Sequence, residues 1–285
     1  MMIKTVGIIG AGTMGSGIAQ VAALARFEVV LHDVSAEALK KAMDRIKSDF
    51  RRSVERQKIT ATEATEALAA IHPRKDLHDL GDSDFIVEAA IEDLEVKRKI
   101  FKDLDQIVGP GVVLATNTSS LSITAVGSLT NTPECVVGMH FFNPAPVMKL
   151  VEVVRGKHTS DGTAKETCDL AVTMGKTPVV CKDTPGFIVN RVARPFYGEA
   201  LRLLGEGVAP VEQIDRIVKA EGGFRMGPFE LMDLIGIDVN YAVTKSVYDQ
   251  FFHEPRFRPH PIQRQMVESG MLGRKTKKGF YSYEE

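Results

Sequence analysis

Cysteine is scarce and unpatterned in this sequence. Only Cys135, Cys168 and Cys181 occur, an odd number with no CxxC spacing. That excludes a disulfide framework and reads as reduced thiols in an intracellular protein. No apolar run approaches the length of a bilayer span, so no membrane segment is expected. Neither sign of charge is in excess. The 36 basic and 37 acidic residues leave a formal net charge of −1, so no global basic field would attract nucleic acid or an anionic membrane. Internal repeats and low-complexity tracts are also missing. The N-terminal residues enter an apolar, strand-like run at once. That leaves no room for a targeting peptide, and a cytoplasmic location is expected.

What is present is ordinary globular material, 44% hydrophobic and 26% charged. A chain of 285 residues is long enough for two domains. Ile3 to Ile9 and Glu28 to His32 read as buried strands, with a helix from Thr13 to Arg26 between them. Ser35 is placed to cap a long helix that runs to about Lys58, and Thr60 with Glu63 fits a capping box. Strand-like and helical segments keep alternating through Thr177 to Cys181. That pattern predicts an α/β fold with a doubly wound parallel sheet of the Rossmann type. Beyond Asp183-Thr-Pro-Gly186 only helical periodicity remains, with helices expected over Phe187 to Leu204, Val211 to Ala220 and Phe229 to Phe252. A dinucleotide-binding domain over residues 1–185 and an all-α domain over residues 186–285 are therefore expected.

Gly10-Ala-Gly-Thr-Met-Gly15 matches GxGxxG between a strand and a helix. Gly10 would permit the tight turn, Gly12 the approach of a pyrophosphate, and Gly15 close helix–strand packing. The helix start, with Thr13 and Met14 in its first turn, would offer N–H groups to the phosphates. Asp33 lies 18 residues after Gly15, at the end of the next strand, where it can accept hydrogen bonds from a ribose diol. It would also repel a 2′-phosphate, which favours NAD over NADP.

Two residues do not suit the apolar stretch GMHFFNPAPVMKLVEVV over 138–154: His140 and Glu152. Each is costly to bury without a partner. If residues 138–142 and 148–154 fold back about Asn143-Pro-Ala-Pro146 as antiparallel strands, positions 140 and 152 lie directly opposite, with Cβ atoms about 4.5–5.5 Å apart. A carboxylate there would hold one imidazole nitrogen as N–H and leave the other to take a proton. That is how a general base is oriented.

These motifs, with TNTSSLSI (116–123), DTPGFIVNRV (183–192), GPFELMDLIGIDV (227–239) and GRKTKKGFYSY (273–283), run the length of the chain. Together they resemble the L-3-hydroxyacyl-CoA dehydrogenases, especially the short bacterial 3-hydroxybutyryl-CoA dehydrogenases. The resemblance implies NAD-dependent oxidation of a 3-hydroxyacyl-CoA, with His140 as base, Glu152 as its partner, and Ser119 and Asn190 hydrogen-bonding the substrate. It implies contacts from Glu92, Lys97, Ser119, Asn143 and Lys275 to the dinucleotide. It also implies a homodimer built through the helical domain, and no metal is expected. The helix over Lys40 to Lys58 is rich in basic residues. Part of it, notably Arg52 and Arg56, is a candidate for the CoA phosphates; the bland reading is a solvated basic face. Two other functions remain open on sequence alone: a sugar-acid dehydrogenase of the L-gulonate type, and a non-catalytic nucleotide-binding scaffold.

Overall fold

The computed structural model describes residues 3–283. Its contacts divide the chain after Thr184 into two compact units. In the first, strands β1 (Thr5–Ile9), β2 (Glu28–His32), β3 (Ile71–Arg74), β4 (Phe85–Glu88), β5 (Val113–Thr116), β6 (Val136–Phe141), β7 (Leu150–Arg155) and β8 (Thr177–Lys182) form one sheet. Their order is β3-β2-β1-β4-β5-β6-β7-β8. Neighbours run parallel except β6 and β7, which are antiparallel. The strand order reverses at β1. A doubly wound sheet opens its ligand crevice there, beyond the carboxyl ends of the strands.

Helices α1 (Thr13–Leu24), α2 (Ala36–Glu55), α3 (Ala61–Ala69), α4 (Leu94–Ile107), α5 (Ile123–Val126) and α6 (Asp161–Thr173) flank the sheet. The local chemistry explains their starts. Ser35 Oγ accepts the Ala38 N–H at 3.2 Å to cap α2. Thr60 and Glu63 form the reciprocal capping box of α3, as their spacing suggested. In α2 the buried residues are Leu39, Ala42, Ile46 and Phe50, one stripe at helical spacing, which leaves the basic residues on the other face. Strand alternation sends Val137, Met139 and Phe141 of β6 into the core shared with α1, α2 and α6, and turns His140 to the opposite face.

The elements that differ from the sequence expectation include a strand and a broken helix. Ile71–Arg74 is a strand that the pattern did not announce: four residues interrupted by Pro73 carry no usable periodicity, and a proline is tolerated there because β3 lies at the sheet edge. The single helix expected over Phe229 to Phe252 is two helices, broken by Gly236 at φ +101°.

The second unit contains helices α7 (Val189–Gly205), α8 (Val211–Gly222), α9 (Pro228–Ile235), α10 (Ile237–Gln250) and α11 (Pro261–Glu268). They pack around Tyr197, Leu201, Ile214, Phe229, Met232, Ile237 and Met266. The C-terminal segment is tied to α9 by Asp233, which accepts the Phe280 and Tyr281 N–H groups at 3.0 Å each and the Tyr283 hydroxyl at 2.9 Å. Among the described residues no helix is long and apolar enough to cross a membrane.

Candidate active site

The glycine turn separates three requirements onto three residues. Gly10 has φ +95°, and a Cβ there would lie 2.5 Å from the Ala89 carbonyl oxygen. A Cβ on Gly15 would lie 1.7 Å from the Gly10 oxygen, so only glycine lets α1 sit this close to β1. Gly12, by contrast, has ordinary backbone angles and nothing within 4 Å of its would-be Cβ. Its openness is a space at the start of α1, and no side chain caps that first turn. Thr13 and Met14 follow in it. Arg45, from α2, donates through Nη1 to Ser16 Oγ at 3.1 Å and Thr13 Oγ1 at 3.4 Å, adding a cation beside the same turn. An uncapped helix start, an open backbone and a neighbouring guanidinium suit a pyrophosphate. Alanine at position 12 is expected to leave the melting temperature unchanged while weakening NAD binding about tenfold or more, roughly 1.4 kcal/mol; calorimetric titration of NAD into the variant measures it.

Asp33 closes the turn from β2. Its Oδ2 accepts the Ala11 N–H at 2.9 Å and its Oδ1 the Ser35 N–H at 2.9 Å. His32, beneath it, is buried, and its Nε2 meets the Lys75 carbonyl at 3.2 Å. Burial holds the His32 pKa below the ordinary imidazole value against the pull of that carbonyl and of Asp33, Asp76 and Asp79. A neutral ring therefore lies next to the Asp33 carboxylate.

Beyond the carboxyl ends of β4 and β5 lies a buried charge network. Glu88 and Lys97 are 0% and 1% exposed. Lys97 Nζ donates to Glu88 Oε1 at 2.6 Å, the Ala90 N–H to the same oxygen at 2.6 Å, and Thr116 Oγ1 to Oε2 at 2.6 Å. Lys97 Nζ also lies 3.6 Å from Glu92 Oε2. Glu92 Oε1 accepts Thr118 Oγ1 at 2.6 Å and the Ser119 N–H at 2.9 Å. Lys97 is thus enclosed, not a solvated helix charge, and Glu92 holds the loop that carries Ser119.

Across β6 and β7 the ladder pairs Gly138 with Val154, His140 with Glu152, and Phe141 with Val151. His140 Nδ1 lies 2.7 Å from Glu152 Oε2, and the two residues are 6% and 1% exposed. The Phe142 ring sits 4.5 Å from the imidazole, tilted by 55°. Two further side chains fix this hairpin. Asn117 Oδ1 accepts the Phe141 N–H at 2.8 Å, and buried Lys176 donates from Nζ to the Ala145 and Met148 carbonyls at 2.5 and 3.0 Å. Burial holds the Lys176 pKa below its ordinary value. Burial, aided by the Glu152 and Asp183 charges, pushes the Cys181 thiol up to about 12, which makes it inert.

The first unit therefore carries Ser119, His140, Glu152, Glu92, Lys97, Asp33 and the glycine turn, with Asn143 exposed in the hairpin turn. Arg52 and Arg56 are exposed near the C-terminal end of α2. The second unit carries Asn190, in the first turn of α7, and Lys275, whose ammonium pairs with the Asp238 carboxylate at 2.6 Å. Sequence reasoning missed Glu88, Asn117, Thr118, Lys176 and the placement of Arg45. Glu88 had a signal: it is a carboxylate in the apolar run FIVEAA, the same anomaly that singled out Glu152.

The chain matches two family models in succession. Residues 5–184 match the 3-hydroxyacyl-CoA dehydrogenase NAD binding domain, and residues 186–283 the 3-hydroxyacyl-CoA dehydrogenase C-terminal domain. It is 50% identical to 3-hydroxyadipyl-CoA dehydrogenase of Escherichia coli K12 over 99% of its own length and 59% of that protein's. It is 44% identical to 3-hydroxybutyryl-CoA dehydrogenase of Bradyrhizobium diazoefficiens, covering 99% of this chain and 96% of that one. Among solved structures, an E. coli K12 3-hydroxybutyryl-CoA dehydrogenase superposes with a TM-score of 0.97 at 49% identity, over 99% of this chain and 60% of that one. The chain thus spans about three-fifths of both E. coli proteins and nearly all of the Bradyrhizobium one.

Proposed function

This chain belongs to the 3-hydroxyacyl-CoA dehydrogenase family, and on that premise we propose that it oxidises C3 of a 3-hydroxyacyl-CoA reversibly, with His140 as general base. The observation that carries this reading is the 2.7 Å contact between His140 Nδ1 and Glu152 Oε2, in register across β6 and β7. NAD, when bound, supplies the acceptor for the C3 hydride. Gly10, Gly12, Thr13, Met14, Gly15 and Arg45 would hold its pyrophosphate and Asp33 its ribose; Glu92, Lys97, Asn143 and Lys275 are the other proposed contacts.

The protein's own work is orientation and proton transfer. Glu152 fixes the ring with Nδ1 as donor, so Nε2 takes the substrate hydroxyl proton, and the carboxylate stabilises the imidazolium that forms. Ser119 and Asn190 hydrogen-bond the substrate oxygen atoms. In the reverse direction the imidazolium returns the proton to the ketone oxygen. Asp33 disfavours a 2′-phosphate, and NAD is the proposed cofactor in preference to NADP.

Oxidation of NADH by acetoacetyl-CoA, followed at 340 nm and repeated with NADPH, tests the reading. No turnover with acetoacetyl-CoA or a longer 3-ketoacyl-CoA would end it. We assign the CoA phosphates to the exposed basic face of α2. The double variant Arg52→Glu/Arg56→Glu is expected to raise KM for acetoacetyl-CoA several-fold while kcat holds; an unchanged KM would remove α2 from the CoA site.

The family resemblance also favours a homodimer through the second unit, where Phe252 is 94% exposed and Val192 70% exposed. Sedimentation equilibrium at micromolar concentration is expected to give twice the 31.2 kDa chain mass, and a single-chain mass would refute the dimer. The three thiols, none in a disulfide, suit the cytoplasm.

A further inference from the structure

Gly17 stands buried in the interior of α1, where a helix by itself favours alanine. Its backbone angles are those of the helix and do not require glycine. A neighbour does. A Cβ on Gly17 would lie 3.2 Å from Ala145 Cβ, 3.2 Å from Pro146 Cδ and 3.7 Å from the Ala145 nitrogen. Both neighbours belong to the turn Asn143-Pro-Ala-Pro146, which joins β6 to β7. The turn of the His140–Glu152 hairpin therefore rests on α1, and the missing side chain lets it rest this close.

Lys176 holds the same turn through its carbonyls. It is 8% exposed, and its Nζ donates to the Ala145 carbonyl at 2.5 Å and to the Met148 carbonyl at 3.0 Å. Hydrogen bonds from an ionised donor are roughly twice as strong as neutral ones. Ala145, 2% exposed, is thus gripped twice, by its methyl group against α1 and by its oxygen on an ammonium. A seat packed this closely cannot accept a further methyl group unless something moves.

Both ends of this contact bear on the reaction. In the ladder, Phe141 with Val151 is the rung nearest the turn, and His140 with Glu152 is the next. Where the turn sits therefore sets where the imidazole stands. Along α1, Gly17 lies five residues beyond Gly12, about 7–8 Å at 1.5 Å per residue. One helix thus offers its start to the dinucleotide and its flank to the hairpin that carries the base. We propose that Gly17 is a positioning residue: it seats the hairpin turn on α1, with Lys176 as the clamp, and so fixes His140 relative to the bound cofactor. It acts through the turn, without touching substrate. The proposal rests on the dehydrogenase reading above.

The test is Gly17→Ala, assayed with acetoacetyl-CoA and NADH well below the melting temperature. A misplacement of 1 Å can cost about 10²-fold in rate, so a displacement of a few tenths of an ångström is expected to lower kcat by about tenfold. The dissociation constant for NADH, from calorimetric titration, is expected to stay within about twofold of the parent's. With NADH deuterated at the transferred position, the isotope effect on kcat is expected to rise, because hydride transfer becomes the slow step. Adding Ala145→Gly removes the methyl group that the new one strikes, and is expected to restore part of the lost kcat. Lys176→Met is expected to lower kcat in the same way, with NADH affinity held, and Lys176→Arg to lose less. A Gly17→Ala enzyme with the parent's kcat overturns the proposal. So does a loss of NADH affinity in step with kcat, which would assign Gly17 to the cofactor turn. Should Gly17→Ala fail to fold, Lys176→Met decides: an unchanged kcat overturns the proposal. No NADH oxidation by the unmodified protein overturns the dehydrogenase reading and the proposal together.

Discussion

Replacing His140 with glutamine is expected to lower kcat by roughly 10²–10⁴-fold. NAD affinity should barely change. The reason is local. The imidazole sits on the strand face turned away from the packed core, its Nδ1 held 2.7 Å from Glu152, and glutamine can fill that space but cannot take the hydroxyl proton. The glycine turn and Asp33 belong to β1, α1 and β2, and Asp33 is bonded within that group to the Ala11 N–H. Steady-state kinetics with acetoacetyl-CoA and NADH, paired with calorimetric titration of NAD, separate the two effects. Loss of NAD binding in step with turnover would show that His140 shapes the cofactor site instead of acting as a base.

The second large effect concerns stability. Lys97→Met leaves the Glu88 carboxylate in a fully buried position with its cation gone. Breaking a buried pair in this way costs about 3–5 kcal/mol. For a unit of this size each kcal/mol moves the melting temperature by roughly 2–4 °C, so a fall of about 10 °C is expected. Two bonds to Glu88 survive, from the Ala90 N–H and Thr116 Oγ1, and they hold the loss to that range. Adding Glu88→Gln to Lys97→Met removes the stranded charge, and the double variant should recover part of the lost stability. Differential scanning calorimetry on the three variants measures this. A melting temperature for Lys97→Met within about 2 °C of the parent would mean the pair carries less than about 1 kcal/mol.

Much of the site was legible because it rests on anomalies in short windows. The glycine turn is a spacing rule, and the structure assigns Gly10, Gly12 and Gly15 distinct steric roles from adjacent positions. His140 and Glu152 stood out as polar residues in apolar strands. Mirror symmetry about residue 146 then predicted the register, and the ladder pairs those two residues directly. The helical second unit was legible from periodicity.

What stayed hidden depends on contacts distant in sequence. Lys97 looks like one charge among many on an amphipathic helix, and only the fold brings it against Glu88 and encloses it. Arg45 looks like part of a basic face until α2 packs beside α1 and sets its guanidinium on Thr13 and Ser16. Lys176 precedes β8 by one residue, and nothing near it in sequence announces that its ammonium secures the turn at Ala145 and Met148, some thirty residues earlier. Strand β3 escaped because its four residues hold a proline.

The central claim is that His140 and Glu152 work as one unit, the carboxylate acting only through the ring it orients. A double-mutant cycle on kcat measures this directly, using His140→Gln, Glu152→Gln and the pair together. The expected result is strong non-additivity: each single change costs heavily, and the pair costs no more than His140→Gln alone. Costs that multiply, or a Glu152→Gln variant with the parent's turnover, would contradict the claim.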